Sequence, residues 1–148
     1  MIVSDHQDIL TTWLCDRIGL VATPDLRCLG RVRDGKLIAV VGFDGWNGAS
    51  CQMHCAGDDP RWINRDFLSR AFSYPFDNGY QVLIVLVPSG NKKAIKLNKH
   101  LGFSTLVEIP DAHPDGSLLV MSMPREACRW IKKGMKHHGQ EIRSAASA

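Results

Sequence analysis

The sequence has no long hydrophobic run. Its longest unbroken apolar stretches, 82–87 and 37–41, are far shorter than the roughly 20 residues needed to span a bilayer. Residues 1–6 lack the basic segment and following apolar segment that mark a signal peptide. Internal repeats and low-complexity segments are also absent, and 45% apolar with 22% charged residues is an ordinary globular composition. These features exclude a membrane-spanning, collagen-like or disordered chain, and we expect one soluble, cytoplasmic domain.

Paired cysteines are not expected either. The chain has five cysteines, an odd number without the spacing of a disulfide framework, and we expect reduced thiols. The one cluster is Cys-Gln-Met-His-Cys at 51–55. In a strand, Cys51, Met53 and Cys55 share one face, whereas His54 points to the other. Three ligands then cannot converge on one ion, and we expect no metal.

The chain also has no large excess of charge of one sign. It contains 18 Lys and Arg residues and 15 Asp and Glu residues, for a net charge of +3. Five bases and one acid lie from Arg129 onward, so this segment carries +4 and the preceding 128 residues about −1. Such a segment could contact nucleic acid or an acidic partner, or it could be a solvated chain end. We favour the chain end, and expect a domain over 1–133 followed by a basic, flexible tail over 134–148.

The apolar patterns predict four helices and six strands in one mixed sheet. Helices are expected at 7–19, 61–72, 91–100 and 125–133. Strands are expected at 29–33, 37–43, 49–56, 80–87, 103–109 and 117–123. Ser4 and Gln7 have the spacing of a capping box, and Asp59 followed by Pro60 is a strong helix start. This order of elements predicts an α/β fold with helices on both faces of the sheet.

The most informative stretch runs from Val85 to Phe103. A buried strand ends, Asn91 opens a short helix, and the helix stops at Leu-Gly-Phe before another strand. Gly102 suits the left-handed position that closes a helix, and Phe103 returns to the core. Asn91 could cap the helix, or bind a ligand beyond the end of the strand.

This succession resembles the GNAT superfamily of N-acetyltransferases. Its members show a strand, then Val-x-x-x-Asn-x-x-Ala/Ser and Leu-Gly-Phe, as at Val87, Asn91, Ala94 and 101–103. Phe-Ser-Tyr-Pro-Phe at 72–76 is similar to the helix end of the branch that acetylates ribosomal-protein N-termini. Segment 121–130 is similar to the last strand and terminal helix of small phage-type members. The resemblance covers about 28–130 and implies a single GNAT-like domain, α/β (α+β), with a mostly antiparallel sheet whose central strands splay apart.

The resemblance also implies a binding mode for acetyl-CoA as co-substrate. The cofactor would lie between the strands at 49–56 and 81–87, with its pyrophosphate on the N-terminus of the intervening helix, where free N–H groups attract anions. The implied cofactor-binding residues are Cys55, Ala56, Arg61, Trp62, Ile63, Asn64, Arg65, Asn91 and Ala94. Arg61 and Arg65 could instead be surface charges of an amphipathic helix.

The chain departs from the usual pyrophosphate signature, Gln/Arg-x-x-Gly-x-Gly/Ala. Those positions fall on Asp59, Trp62 and Asn64. Glycine there lets the backbone approach the pyrophosphate closely. The larger residues predict weaker or altered cofactor binding unless their side chains point away.

The catalytic candidates are His54 and Asn98. GNAT members often use a base near the first splayed strand, and His54 lies there with a side chain that titrates near neutrality. A hydrogen-bonded structural histidine is the alternative. Asn98 stands where a tyrosine acid is common; it cannot donate a proton as an acid, but it can hydrogen-bond a thiolate. Cys55 could act as a nucleophile, although an inert buried cysteine is the favoured interpretation.

The resemblance therefore predicts an enzyme that transfers an acetyl group from acetyl-CoA to a primary amine by direct attack. The acceptor would be a small molecule or a peptide, bound by residues 10–25, 44–48 and 108–116, and the protein a monomer or homodimer. The alternative is a catalytically inactive GNAT-fold binding module for a protein or nucleic-acid partner. The altered glycine signature, Asn98 and the basic tail motivate that alternative.

Overall fold

The computed structural model describes residues 1–132. The predicted tail at 134–148 lies outside the described residues. The strands are β1 (Ile2–Val3), β2 (Arg27–Arg33), β3 (Lys36–Asp44), β4 (Ser50–Gly57), β5 (Val82–Pro88), β6 (Ser104–His113) and β7 (Gly116–Pro124). The α-helices are α1 (Gln7–Ile18), α2 (Arg65–Phe76) and α3 (Lys92–Leu101), and single 3-10 turns cover Pro60–Trp62 and Arg125–Ala127.

One seven-stranded sheet organises these elements in the order β1-β2-β3-β4-β5-β7-β6. Its described strand pairs are antiparallel except for β4 and β5, which run parallel. The parallel pairing extends from Ser50–Val82 to Gln52–Ile84. Beyond it β4 still pairs with β3 as far as Gly57, and β5 pairs with β7 as far as Pro88. The central strands therefore separate into a wedge, which confirms the predicted splayed, mostly antiparallel sheet.

Helix α1 covers one face of the sheet over β2, β3 and β4. Leu10 and Leu14 are its buried residues, and they pack with Leu26, Cys28 and Val40. The helix approaches closely because two glycines lie beneath it. A Cβ atom at Gly30 would lie 2.7 Å from Leu10 Cδ2, and one at Gly42 would lie 2.8 Å from Leu14 Cδ2.

Helices α2 and α3 cover the opposite face, where the larger core lies. Phe67, Phe72 and Phe76 of α2 pack there with Leu101 of α3 and the inward side chains of β5 and β7. Helices thus occupy both faces, as predicted. On the face of α1, the half of the sheet formed by β5, β7 and β6 leaves apolar side chains largely exposed, among them Leu86, Val107 and Ile109.

Sequence reasoning misplaced the start of α2. Asp59 does act as a cap, but for the 3-10 turn: its side chain accepts a hydrogen bond from the backbone N–H of Arg61. The chain is then extended at Ile63, and Asn64 caps α2 by accepting from Phe67 N at 2.8 Å. Trp62 causes the interruption, because its side chain turns into the core over Gly57.

Two further expectations about helix ends were wrong. Gln7 forms no capping box; its side chain pairs with the backbone N–H and C=O of Cys28, which fastens α1 to β2. The C-terminal helix expected at 125–133 is reduced to the turn Arg125–Ala127, and Cys128 is extended. Cys128 and Ile131 are buried in the larger core, so packing overrides the helical pattern.

Within residues 1–132, no helix has the length and apolar composition that crossing a bilayer requires.

Candidate functional site

The wedge between β4 and β5 is bounded by the strands whose ends lead into the elements that carry the predicted site residues. Beyond Gln52 and Ile84 the two strands no longer pair, so some of their backbone N–H and C=O groups face each other across the gap. Strand β4 brings His54, Cys55 and Ala56 along one side of this gap. Such a gap can receive an extended ligand that hydrogen-bonds to the strand edges.

His54 forms a close pair with a carboxylate. Its Nε2 atom lies 2.8 Å from Oδ1 of Asp44, and the two side chains are 19% and 9% exposed. A carboxylate only accepts hydrogen bonds, so the ring nitrogen facing it carries the proton. The other nitrogen, Nδ1, is then left with a lone pair and can accept a proton.

The loops around Asp44 hold it in place. The Thr23 hydroxyl lies 3.5 Å from Asp44 Oδ2 and donates to Asp25. The second carboxylate oxygen of Asp25 accepts from the backbone N–H of Gly45 at 2.9 Å and of Trp46 at 3.3 Å. The Trp46 indole is buried and donates to the carbonyl of Asp25. The end of β3 is thus fixed by a segment from the predicted acceptor region.

Sequence reasoning did not identify Asp44. The feature that identifies it is the register of β3 and β4. In the antiparallel pairing of β3 and β4, Gly42 lies opposite His54 and Asp44 opposite Gln52. Residues 42 and 44 share a face, as do 52 and 54, so Asp44 and His54 are diagonal neighbours. The strand register, which the sequence left undetermined, is what brings them together.

Helix α3 carries the second group of predicted residues. Asn91 caps the helix, since its Oδ1 accepts from Ala94 N at 3.1 Å, and Gly102 closes it in the left-handed conformation at φ 119°. Ala94 is packed against the larger core. Asn98 is 6% exposed, and its side chain makes no hydrogen bond to another residue within 1–132. Asn98 is thus a nearly buried amide on the helix that follows β5.

The loop between β4 and α2 carries the residues predicted to hold a pyrophosphate. The Arg61 guanidinium donates to both carboxylate oxygens of Asp59, at 3.1 and 3.0 Å. These bonds hold the pKa of the Asp59 carboxyl at about 2, below its usual range. Arg61 remains exposed. It lines a cleft of about 690 Å³ together with Arg33 and Lys36.

The other loop residues have different surroundings. The Trp62 side chain is buried, and a Cβ atom on Gly57 would lie 2.1 Å from its Cδ1 atom. Ile63 packs against the larger core, and Asn64 caps α2. The Arg65 guanidinium carbon lies 5.8 Å from the centre of the Trp130 ring. Trp62 and Asn64 thus direct their side chains into the fold, and the backbone of this loop is what remains for a ligand.

Cys55 and Ala56 lie on opposite faces of β4. Cys55 packs against the larger core and Ala56 against the cluster under α1. Burial raises the pKa of the Cys55 thiol to about 11. A thiol in this state is protonated at neutral pH and is a poor nucleophile.

A second cleft, of about 570 Å³, opens where β5 ends. It is bounded by 88–91 on one side and by His113, Asp115 and Ser117 of the β6–β7 hairpin on the other. The Ser117 hydroxyl lies 2.9 Å from Ser89 Oγ and 2.8 Å from Glu108 Oε2. The predicted acceptor segment 108–116 therefore adjoins the N-terminus of α3. Residues 1–132 contain no cluster of three or more His, Cys, Asp or Glu side chains able to hold a metal.

Comparison with solved structures identifies the fold. A mutant of the spermidine N-acetyltransferase from Vibrio cholerae superposes with a TM-score of 0.70 at 13% identity, over 85% of this chain and 94% of that one. The ribosomal-protein-S18-alanine N-acetyltransferase from Escherichia coli superposes with a TM-score of 0.60 at 16% identity, over 84% of this chain and 92% of that one. The ribosomal-protein-alanine N-acetyltransferase from Brucella melitensis superposes with a TM-score of 0.58 at 17% identity, over 79% of this chain and 77% of that one. The chain has the GNAT fold. No family model and no curated protein matches the sequence.

Proposed function

We propose that this protein is an acetyl-CoA-dependent N-acetyltransferase that acetylates a primary amine by direct attack. The observation that carries the proposal is the His54–Asp44 pair, which lies just beyond the point where β4 and β5 part. A base is needed there because a protonated amine is not a nucleophile. The structural neighbours, which are named as N-acetyltransferases, support the same reaction class.

In the proposed reaction, His54 and Asp44 accept and stabilise the proton, and Asn98 stabilises the negative charge on the leaving sulfur. The Nδ1 atom of His54 takes the proton that the attacking amine gives up, and Asp44 stabilises the imidazolium that results. A carbon–nitrogen bond forms and the carbon–sulfur bond of the thioester breaks, with its electron pair leaving on sulfur. The Asn98 amide donates a hydrogen bond to that thiolate. Acetyl-CoA supplies the thioester.

The residues present fit this co-substrate in two places. The separated strands offer unpaired backbone groups to the amides of an extended pantetheine arm. Pro60 has no backbone N–H, and those of Arg61 and Trp62 already bond to Asp59. The backbone N–H groups of residues 63–66 are therefore the ones that would face a pyrophosphate, and Arg61 stands exposed beside them. Trp62 packs into the core and Asn64 caps α2, which supports the proposal although the glycine signature is altered.

The proposal also includes a cytoplasmic location, no metal, and action as a monomer or homodimer. All five cysteines are free, which suits a reducing compartment. The acceptor is a small-molecule or peptide amine, in keeping with the spermidine and ribosomal-protein enzymes that share the fold.

Two measurements on the full-length protein test the function. Thermal unfolding is followed with and without millimolar acetyl-CoA, and mass spectrometry then scores acetylation of polyamines and of peptides with free N-termini. We expect a higher melting temperature, because a ligand that binds the native state stabilises it. We also expect at least one acetylated amine.

His54→Gln is the matched control. It should keep the stabilisation by acetyl-CoA and lose acetylation, because His54 acts on the amine. An unchanged melting temperature at millimolar acetyl-CoA would contradict the proposal and favour the alternative of an inactive binding module.

A further inference from the structure

The exposed face of α3 is uniformly basic. Lys92, Lys93, Lys96, Lys99 and His100 are all exposed. At about 100° per residue they fall within an arc of about 120° on the helix surface. The opposite side of the helix carries Ala94, Leu97 and Leu101, which pack against the larger core.

Within residues 1–132, these five bases form no ion pair with an acidic side chain. The sequence contains no Asp or Glu anywhere from 78 to 107. The near-neutral charge of the body is therefore an average that conceals a concentrated positive face.

A second group of cations extends this face. The rings of His100 and Trp130 lie 6.0 Å apart. The guanidinium carbons of Arg129 and Arg65 lie 4.4 and 5.8 Å from the centre of the Trp130 ring, which is half-buried. An aromatic ring flanked by two guanidinium groups thus adjoins the lysines of α3.

The basic segment of the sequence begins at the same place. Lys132 is exposed and directly follows this group. In the sequence it is followed by Lys133, Lys136, His137, His138 and Arg143. The part of the basic segment that the structure describes, Arg129 to Lys132, therefore belongs to a surface of the folded domain.

We propose that this surface, formed by the α3 bases with Arg65, Arg129, Trp130 and Lys132, binds single-stranded nucleic acid. Lys92 and Lys99 are separated by about 10 Å along the helix axis, at 1.5 Å per residue. One strand of B-form DNA carries a phosphate every 3.4 Å of helix axis, so this length spans about three phosphates of a strand stacked in that geometry, and Lys96 lies between the two ends. The indole and its guanidinium neighbours offer planar groups on which exposed bases stack. Regular charges beside a stacking group favour a nucleic acid over an acidic protein.

The test measures binding of a fluorescently labelled 20-nucleotide oligo-dT and oligo-U to the full-length protein by anisotropy, from about 50 to 200 mM salt. We expect affinity to fall with salt on a log–log slope of about −2 to −3, as three or four phosphate contacts to a single strand require. A duplex of the same length should bind more weakly. The two oligonucleotides show whether the 2′-hydroxyl contributes.

A matched pair of variants locates the surface. Lys96→Gln with Lys99→Gln removes two charges from α3, and Arg33→Gln with Lys36→Gln removes two from the β2–β3 turn. Glutamine keeps helix propensity close to that of lysine, so the α3 double variant should not lower the melting temperature. Arg33 and Lys36 lie at strand ends, half-buried and exposed, and the melting temperature of the turn variant is measured to show that it folds. We expect the α3 double variant to weaken binding at least fivefold and to reduce the salt slope by about 1.4, and the turn variant to leave both unchanged.

Five results would overturn the proposal. Four of them are salt-independent or undetectable binding, equal losses in the two double variants, equal or tighter binding of the duplex, and displacement of the oligonucleotide by polyglutamate at matched charge concentration. These four do not bear on whether the protein acetylates amines. The fifth is complete displacement by acetyl-CoA, which would assign the face to the cofactor site and would support co-substrate binding.

Discussion

The pairing of Asp44 with His54 determines what each side chain can do. Asp44 is a nearly buried carboxylate, and such a group must be hydrogen-bonded to tolerate its burial. His54 supplies one bond, and the Thr23 hydroxyl lies 3.5 Å from the other oxygen. Because Asp44 fixes the proton on Nε2, it acts as a positioning residue for the base at Nδ1.

Replacing Asp44 by Asn should therefore impair catalysis while leaving cofactor binding intact. The Asn amide can donate to Nε2, which moves the ring proton to Nδ1 and removes the base. We expect kcat to fall about a hundredfold, in the range that general-base catalysis contributes. Steady-state kinetics, together with acetyl-CoA binding by calorimetry, separate this from misfolding.

The double variant of Asp44→Asn and His54→Gln gives a sharper measurement. If Asp44 acts through His54, the two losses should combine to little more than one of them. Losses that multiply would show that Asp44 acts independently of the histidine. Asp8→Asn, at an exposed acid on α1 outside the predicted acceptor segments, serves as the control and should keep full activity.

Cys55 lies beside His54 but is not expected to take part in the reaction. Its pKa of about 11 leaves the thiol protonated at the pH where acetylation would be assayed. Cys55→Ser should keep kcat within about twofold, and intact-protein mass spectra taken during turnover should show no acetyl group on the enzyme. An acetylated Cys55 would instead indicate a two-step route through the enzyme.

At the level of elements, local signals predicted α3 well and α2 only in part. Asn91 caps the helix, which is one of the two roles that the sequence left open for it, and Gly102 closes the helix as predicted. Ahead of α2 there are two competing caps, Asp59 and Asn64, and each is used. Capping signals alone do not say where α2 begins, because side-chain packing decides it: Trp62 packs over Gly57, and the chain is extended at Ile63 between the two caps.

Gly57→Ala should therefore disturb the loop that we propose for the pyrophosphate. A Cβ atom there would overlap Trp62, and overpacking of this kind costs about 1–3 kcal/mol. We expect a lower melting temperature and weaker binding of acetyl-CoA. Gly90→Ala is the matched control, because a Cβ atom at Gly90 meets no other atom within 4 Å. Equal effects of the two variants would show that the contact with Trp62 does not hold the loop.

For the whole molecule, the sequence predicted the architecture better than the site. The fold follows from patterns of apolar residues and turns, which survive at the 13–17% identity that separates this chain from its structural neighbours. The site depends on which strand residues lie opposite one another. His54 was recognisable as a candidate from its place in β4, whereas Asp44 became recognisable only with the register of β3 and β4.

The net charge of sequence segments did not predict the basic face of α3, for a related reason. Summing charges along the chain gave a neutral body and a basic tail, because acids elsewhere cancel the four lysines of α3. In the folded protein those lysines share one exposed face, and Arg65 and Arg129 join it from other parts of the chain. Surface charge is a property of the fold, and a sum over sequence does not report it.

The two proposed ligands should bind without competing, since the wedge and the outer face of α3 are formed by different side chains. A ligand at about 100 times its Kd stabilises the native state by about 2.7 kcal/mol. For a chain of this size that raises the melting temperature by about 5–10 °C. Differential scanning fluorimetry with acetyl-CoA, oligonucleotide and both together should show additive free energies of stabilisation. A combined effect no larger than the greater single one would mean that the two ligands share a site, and the α3 lysines would then be reassigned to the phosphates of the co-substrate.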